Sequence, residues 1–202
     1  GRRGHYIAIN CAAIPESLAE SQLFGVTHGA FTGAMQSRAG FIEASDMGTL
    51  YLDEIDSMPL ILQAKLLRVL ETRGVERLGS TRSIPVDMRV IASAQSSLSE
   101  MVEQGRFRRD LYYRLNVVSL HLPPLRERRE HIIPLFLNLI QREANYFNSS
   151  IPVPSTSLLQ RVICHDWPGN VRELRSAAKR LVLGLPPLLT CSGVNNNDEK
   201  SL

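Results

Sequence analysis

The chain has 202 residues and a formal net charge of +3, with 44% hydrophobic and 21% charged residues. This length allows one hydrophobic core and a small second subdomain, and so small a net charge does not by itself indicate nucleic-acid binding. No apolar run approaches the length that spans a bilayer, so no membrane partner is expected. The three cysteines, Cys11, Cys164 and Cys191, form no CxxC pair, which favours a reducing, cytoplasmic location.

The first part of the chain alternates short apolar strands with helices. We predict strands at residues 5–9, 49–53, 88–92 and 117–120. We predict a helix at residues 15–24 and an amphipathic helix at 59–72. An irregular excursion at 25–40 and a hairpin formed by 75–78 and 83–86 are also predicted. Strands separated by helices favour an α/β fold with a mostly parallel sheet.

The pattern changes at the proline pair of Leu122-Pro123-Pro124-Leu125. Three helical segments follow, at residues 130–147, 155–164 and 170–183, and no strand pattern accompanies them. We therefore predict an α/β subdomain at 1–122, a small helical subdomain at 123–185, and a polar tail or linker at 186–202.

Two acidic residues, Asp53 and Glu54, close the predicted strand at 49–53. A buried parallel strand delivers its last residues to the ligand-binding edge of the sheet. An acid at that edge can bind Mg²⁺, usually through water, and a second acid can orient the water that attacks a γ-phosphate. Taken alone, the pair is equally compatible with a strand end followed by a helix cap.

A loop of small residues precedes this strand, with the sequence Gly29-Ala30-Phe31-Thr32-Gly33-Ala34. One aromatic and one hydroxyl side chain among small residues suit a mobile tip that contacts a partner. The surrounding polar residues leave Phe31 little hydrophobic cover, so an exposed Phe31 would be a contact residue. The alternative is a tight turn over the core.

Three arginines are candidates for contact with phosphate. Arg108 and Arg114 lie six positions apart and could both reach a subunit boundary, where a guanidinium group stabilises charge on a transferring phosphoryl group. Arg172 follows the Pro168-Gly169-Asn170 turn in the first turn of a predicted helix. The alternatives are surface salt bridges for the first two and a solvated helix arginine for the third.

These elements follow one another in the order found in one protein family. The matching segments are Asn10-Cys11-Ala12-Ala13, Glu20-Ser21-Gln22-Leu23-Phe24-Gly25, the GAFTGA hexapeptide at 29–34, Gly48-Thr49-Leu50-Tyr51-Leu52-Asp53-Glu54-Ile55, residues 107–117, residues 122–128, and residues 167–174. On these segments the chain resembles the AAA+ central domain of bacterial enhancer-binding proteins, which activate sigma-54 RNA polymerase. Ile91-Ala92-Ser93-Ala94-Gln95 and His165-Asp166-Trp167-Pro168 are most similar to the Hrp-type regulators of type III secretion genes.

The resemblance implies ATP and Mg²⁺ as cofactors and gives a role to each candidate residue. Asp53 would be the Mg²⁺-associated acid and Glu54 the catalytic acid, while Asn10 matches the residue that holds this glutamate and relays the nucleotide state to the loop. The loop Gly29, Ala30, Phe31, Thr32, Gly33 and Ala34 would bind sigma-54. Arg108 and Arg114 match the fingers that act on a neighbouring subunit, and Arg172 matches the sensor II arginine. Gln95 stands where the family usually has asparagine, so γ-phosphate sensing by its longer side chain would be altered.

One motif of the family does not occur in the sequence. No G-x-x-x-x-G-K-[ST] segment is present, and the resemblance locates that P-loop upstream of the equivalent of Arg2. We therefore expect a partial sequence that lacks the first strand and the P-loop of an AAA+ fold. The family's C-terminal helix-turn-helix is also not visible, so DNA contact is expected only through that missing domain.

The sequence supports one leading function and two alternatives. The leading hypothesis is the sigma-54 interaction domain of a transcriptional activator that uses ATP hydrolysis to remodel the closed polymerase complex. Its partners would be sigma-54 RNA polymerase and other AAA+ subunits, in a homo- or hetero-oligomeric, hexameric ring. A non-catalytic module that binds sigma-54 or a sister regulator is the first alternative. Another AAA+ machine, such as a clamp loader or helicase, is the second, but these lack GAFTGA.

We predict that the purified 202-residue chain binds ATP weakly and does not hydrolyse it. The glycine-rich cradle and the lysine that hold the β- and γ-phosphates are not among its residues. Calorimetric titration with ATP and a phosphate-release assay measure the two properties. Measurable turnover by the purified chain would contradict the prediction.

Overall fold

The structure is a computed structural model that describes residues 2–31 and 34–189. Thr32 and Gly33 of the predicted loop, Cys191, and residues 190–202 of the predicted tail lie outside the described residues. The chain divides into two compact units, Gly1–Ser119 and Leu120–Leu202. Within the described ranges, no helix has the length and apolar character needed to cross a membrane.

The first unit combines a parallel sheet with helices. Its elements are β1 (Tyr6–Asn10), α1 (Glu16–Phe24), α2 (Phe41–Ala44), β2 (Thr49–Asp53), α3 (Leu60–Thr72), β3 (Gly74–Glu76), β4 (Ser83–Pro85), β5 (Arg89–Ala92), α4 (Leu98–Glu103) and α5 (Arg109–Leu115). The main sheet has the order β1-β2-β5 and all its pairs are parallel, while β3 and β4 form a separate antiparallel pair. The predicted α/β class and the predicted hairpin are therefore confirmed.

The central strand β2 anchors the core of this unit. Its sequence alternates, so Leu50 and Leu52 are fully buried while Thr49, Tyr51 and Asp53 are half-buried. Leu62 and Leu66 on one face of α3 are buried in the same core. Each fully buried leucine contributes about 1.5–3 kcal/mol of burial free energy. Strand β2 is therefore paired on both sides and buried, with Asp53 as its last residue and Glu54 directly after it.

The predicted strand at 117–120 is wrong, because this segment forms no strand. Val117, Val118 and Leu120 are 82%, 79% and 86% exposed. An apolar run becomes a strand only where a neighbouring edge accepts its hydrogen bonds. In the described part of the chain no strand pairs with this segment, so its apolar composition does not produce a strand.

Helix α4 was not predicted from its apolar pattern. It begins after Ser97, whose hydroxyl oxygen accepts a hydrogen bond from the Glu100 backbone N–H at 3.4 Å. A serine followed three residues later by a glutamate is a recognised signal for a helix start. The signal was therefore present in the sequence, although the helix spans only six residues.

The second unit is helical, with α6 (Ile132–Tyr146), α7 (Thr156–Cys164) and α8 (Asn170–Val182). Phe136, Trp167 and Leu174 are fully buried at its centre. The indole Nε1 of Trp167 donates to the Val162 carbonyl oxygen at 2.8 Å, so the only polar atom of the ring is satisfied. The three predicted helices are confirmed, with boundaries within about two residues.

Candidate functional site

The carboxyl ends of the three parallel strands bring the candidate residues of the first unit to one edge of the sheet. Asn10 ends β1 and lies opposite Asp53, which ends β2. Ser93 follows β5, and its backbone N–H donates to the Leu52 carbonyl oxygen at 2.9 Å. The Cys11 backbone N–H donates to the Asp53 carbonyl oxygen, also at 2.9 Å. Three chain segments that are distant in sequence therefore meet at the acid pair.

Asp53 is held through one of its two carboxylate oxygens. Oδ1 accepts hydrogen bonds from the Ser93 hydroxyl and, at 3.2 Å, from the Tyr51 hydroxyl. Within residues 2–31 and 34–189, Oδ2 makes no hydrogen bond. A half-buried carboxylate with one oxygen that makes no hydrogen bond suits a hard cation that keeps most of its bound water. No group of three or more His, Cys, Asp or Glu side chains forms a metal site in the described ranges.

Glu54 has a left-handed backbone conformation, with φ 53° and ψ 48°. This conformation costs a non-glycine residue about 1–3 kcal/mol and persists only where the surroundings enforce it. Ser93 holds the backbone of this turn with two hydrogen bonds. Its carbonyl oxygen accepts from the Ile55 N–H at 3.0 Å, and its hydroxyl oxygen accepts from the Glu54 N–H at 3.4 Å. The carboxylate Oε1 of Glu54 accepts from the Gln95 side-chain amide Nε2 at 2.9 Å.

Asn10 uses its side-chain oxygen within its own turn. Oδ1 accepts from the backbone N–H groups of Ala12 and Ala13 at 2.9 and 3.1 Å. No hydrogen bond joins Asn10 to Glu54 in the described part of the chain, so the role of Asn10 toward Glu54 stays a prediction. Sequence reasoning missed the contacts of Ser93 and Tyr51 with Asp53. The position of Ser93 directly after a strand that neighbours β2 was the available signal.

Cys11 lies beside the acids, in a cavity of about 270 Å³ formed with residues of α1 and the start of α3. Burial raises the pKa of the Cys11 thiol from 9.0 to about 11, and the negative charges of Asp53, Asp56 and Glu54 add to that effect. The thiol therefore stays protonated and is a poor nucleophile at neutral pH.

The base of the loop that carries Phe31 is held in place by backbone pairing and hydrogen bonds. Val26 pairs with Arg38 and with Leu78, and the backbone N–H and hydroxyl of Thr27 both donate to the Leu78 carbonyl oxygen, at 3.0 and 2.9 Å. Across the loop, the Gly29 N–H donates to the Ala34 carbonyl oxygen at 2.9 Å. Phe31 itself is 51% exposed. An anchored base and an exposed aromatic residue near the tip suit contact with another molecule.

Gly79 lets the turn between β3 and β4 pack against this loop. It has φ +78°, and a Cβ at this position would lie 2.6 Å from the Ala30 Cβ and 2.8 Å from the Thr27 Oγ1. Nearby, Arg77 forms a bidentate ion pair with Glu43, at 2.8 and 2.6 Å, in which both side chains are about one-fifth exposed. The absence of a side chain at residue 79 therefore permits the close approach of Ala30.

The two candidate arginines of the first unit have intramolecular partners. The Arg108 guanidinium donates twice to Asp110, at 3.1 and 2.7 Å, and lowers the pKa of that carboxyl. Arg114 donates to the Leu70 carbonyl oxygen at 2.9 Å. An exposed ion pair such as that of Arg108 with Asp110 contributes little to stability. In the second unit, Arg172 is exposed in the first turn of α8.

Comparison with known proteins adds sequence similarity to this geometry. The family profile described as the sigma-54 interaction domain matches residues 1–121, and that of the AAA+ ATPase lid domain matches residues 126–186. The chain therefore belongs to the family of sigma-54 interaction domains.

Three similar proteins illustrate how much of the chain is matched. The probable regulatory protein HrpS of Pseudomonas syringae pv. syringae is 63% identical over 188 residues, which are 93% of this chain and 62% of HrpS. HrpR of the same organism is 63% identical over 180 residues, which are 89% of this chain and 57% of HrpR. NtrX from Brucella abortus, in a crystal structure with ATP, has a TM-score of 0.82 and 32% identity, covering 98% of this chain and 41% of NtrX. The chain thus spans about three-fifths of the length of the two regulators.

We predict that Gly79→Ala displaces the base of the loop. The new Cβ would overlap with Ala30 and Thr27. Gly105→Ala is the matched control, because Gly105 has a similar φ of +70° and a Cβ there would meet no described atom within 4 Å other than those of its chain neighbours. Both substitutions introduce backbone strain at a positive φ, and the control should lose only the corresponding stability of about 1–2 kcal/mol. Thermal unfolding should give a lower Tm for Gly79→Ala, and only this variant should shift the amide NMR resonances of residues 26–31. Equal Tm values and unchanged resonances would contradict the prediction.

We predict that Cys11 is alkylated slowly by iodoacetamide near neutral pH and faster as the pH rises toward about 11, because the thiolate is the reactive form. Peptide mapping by mass spectrometry measures the rate, with the exposed Cys164 as the internal reference. The folded chain also holds this proton more tightly than an unfolded thiol with a pKa of 9.0. The contribution of the Cys11 thiol to the free energy of unfolding is therefore fully present below pH 9.0 and is lost as the pH rises to about 11. Alkylation of Cys11 at the rate of Cys164 near neutral pH would contradict this account.

Proposed function

We propose that this chain is the sigma-54-contacting region of a transcriptional activator that works in the bacterial cytoplasm, and that it carries part of the nucleotide-hydrolysis site of the natural gene product. The activity would be ATP hydrolysis, used to remodel the closed complex of sigma-54 RNA polymerase. The observation that carries the proposal is the arrangement of Asp53 and Glu54, which are held at the carboxyl edge of a parallel sheet by side chains that follow the neighbouring strand. Membership of the sigma-54 interaction domain family supports the partner.

The two acids would divide the chemistry between them. Asp53 has the free carboxylate oxygen and would hold Mg²⁺, which supplies charge neutralisation at the phosphates. Glu54 would accept a proton from the attacking water and fix the direction of attack. Gln95 and Arg172 are the further nucleotide-contacting residues that we propose. The structure of NtrX with ATP supports ATP as the nucleotide.

A short mechanical path connects the acid edge with the loop. The turn capped by Asn10 leads into α1, which ends at Phe24, and Gly25 then precedes the first pairing of the loop base at Val26. Nine helical residues span about 13 Å and move as one body. A displacement of the Asn10 turn on nucleotide hydrolysis would therefore reach the loop at 29–34, which we propose binds sigma-54 through Phe31 and Thr32.

Assembly into a ring would complete the site. We propose that Arg108 and Arg114 of one subunit act on the nucleotide of a neighbour, in a hexamer of identical or related AAA+ subunits. The exposed position of both side chains supports this role. The division of labour that we propose is an α/β subdomain at 1–122, a helical lid at 123–185 and a linker at 186–202.

We predict that two substitutions in the natural gene product separate hydrolysis from activation. Glu54→Gln should abolish both ATP hydrolysis and transcription from a sigma-54 promoter, because the amide is a poor proton acceptor. Thr32→Ala should retain hydrolysis and lose activation, because it alters the proposed contact with sigma-54. Steady-state phosphate release and reconstituted transcription measure the two activities.

Thr81→Ala is the matched control, because Thr81 is an exposed threonine in the turn between β3 and β4. It should retain both activities. Full activation by Thr32→Ala would overturn the loop assignment, and normal hydrolysis by Glu54→Gln would overturn the assignment of the catalytic acid.

A further inference from the structure

A fully buried glutamine, Gln63, lies in the first turn of α3. It lies four positions before Leu67, on the face of the helix that is buried in the core. An apolar side chain would be expected at such a position. A buried amide is costly unless its polar atoms have partners, so the partners of Gln63 show which parts of the fold this residue joins.

The side-chain amide of Gln63 bonds three backbone groups. Its Nε2 donates to the Met58 carbonyl oxygen at 2.8 Å and to the Arg106 carbonyl oxygen at 3.3 Å. Its Oε1 accepts from the Arg108 backbone N–H at 2.8 Å. The partners fix the orientation of the amide, because a carbonyl oxygen only accepts and a backbone N–H only donates. Both N–H groups and the oxygen of this amide are therefore in use.

The bonded groups belong to two segments that are far apart in sequence. Met58 directly follows the 3₁₀ turn Ile55–Ser57, which begins after Glu54, and its N–H donates to the Ile55 carbonyl oxygen at 3.0 Å. Arg108 directly precedes α5, and its side chain is exposed. Gln63 therefore joins the turn that follows the acid pair to the backbone that carries Arg108.

Helix α3 also contacts the other candidate arginine of α5, but in a different way. The Leu70 carbonyl oxygen near the end of α3 accepts from the guanidinium of Arg114. That bond must break if Arg114 is to reach another molecule. The bond from Gln63 goes to the backbone of Arg108, so it persists whether the guanidinium pairs with Asp110 or extends to a second subunit. Gln63 thus fixes the starting point of the Arg108 side chain and leaves its end free.

We infer that Gln63 is a positioning residue that holds Arg108 in register with the acid-bearing turn of its own subunit. The catalytic consequence rests on the proposed function, in which Arg108 acts on the nucleotide of a neighbour, whereas the hydrogen bonds themselves do not. Loss of the amide would leave Arg108 at the start of α5 but release its backbone from α3. The loss of activity would then fall on the site of the neighbouring subunit.

The structural part of the inference is tested in this chain by hydrogen exchange measured with NMR. Gln63→Met keeps an unbranched side chain of similar size and removes the amide. It should speed exchange of the Arg108 N–H relative to that of the Asn116 N–H, which donates to the Tyr112 carbonyl oxygen at the far end of α5. Wild-type protection of the Arg108 N–H in Gln63→Met would overturn the inference.

Ile42→Val is the control for a general loss of stability. Ile42 is fully buried in α2, and its side chain takes no part in these hydrogen bonds. The loss of one buried methyl group should lower the Tm. It should change the exchange of the Arg108 and Asn116 amides in parallel. A selective effect on Arg108 in this control would remove the support that exchange gives to the inference and would overturn it.

The effect on hydrolysis is measured in the natural gene product. Gln63→Met should lower kcat for ATP hydrolysis by about tenfold or more, because a displacement of about 1 Å of a reacting group can cost up to about a hundredfold in rate. KM should stay within about twofold, because such an arginine stabilises charge that develops in the transition state. Ile42→Val should keep the wild-type kcat. A wild-type kcat in Gln63→Met would count against the inference and overturn it.

Mixed assemblies separate a role toward Arg108 from a role toward the acids. Gln63→Met subunits mixed with Glu54→Gln subunits should regain hydrolysis, because an intact Glu54 then meets an undisturbed Arg108 at some subunit boundaries. Gln63→Met mixed with Arg108→Ala should stay inactive, because neither subunit supplies an undisturbed Arg108. Rescue by Arg108→Ala would show that Gln63 serves the acids of its own subunit. That result, or rescue by neither partner, would overturn the inference.

The mixture of Glu54→Gln with Arg108→Ala is the positive control for this experiment. It should regain hydrolysis, because it combines an intact acid with an intact arginine across the boundary. An inactive control mixture, or a wild type without hydrolysis, would refute the proposed function. The exchange rates would still decide whether Gln63 holds Arg108.

Discussion

The anchoring of one turn by Ser93 is the constraint on which the rest of the acid site depends. Glu54 has a left-handed backbone that its own residue type disfavours. Ser93 stabilises this turn by bonding the carbonyl group before it and the N–H group after it. Its hydroxyl contacts Asp53 in the same place. One residue from a neighbouring strand thus fixes where both carboxylates begin, and only the outer part of Glu54 needs a further partner.

The same edge of the sheet is also where the loop begins its path. Asn10 closes a turn, α1 follows it, and the loop base starts at Val26. On the other side, the loop base rests on Leu78 and Gly79 from the turn between β3 and β4. The loop is therefore supported by two segments that are far apart in sequence. Its base is therefore fixed, while the aromatic side chain of Phe31 stays exposed.

Hydrogen-bonding partners separate the correct predictions from the wrong one. Residues 49–53 and 117–120 are both short apolar runs, and both were predicted as strands. The first has a parallel neighbour on each side and buries Leu50 and Leu52. The second has no strand beside it in the described part of the chain and is exposed. Local composition can suggest a strand, but pairing with a neighbouring strand decides whether one forms.

The sequence by itself determined the α/β class, the hairpin, the three helices of the second unit and the acid pair, because periodicity and residue type are local properties. It also predicted that residues 29–34 form a contact loop, because GAFTGA is a contiguous motif. Only the tertiary structure decided which side chain meets which acid. The partners Ser93 and Gln95 lie about forty positions from Asp53 and Glu54, and their approach is a consequence of strand order. The left-handed turn at Glu54 was equally invisible in the sequence, because neighbouring backbone imposes it against local preference.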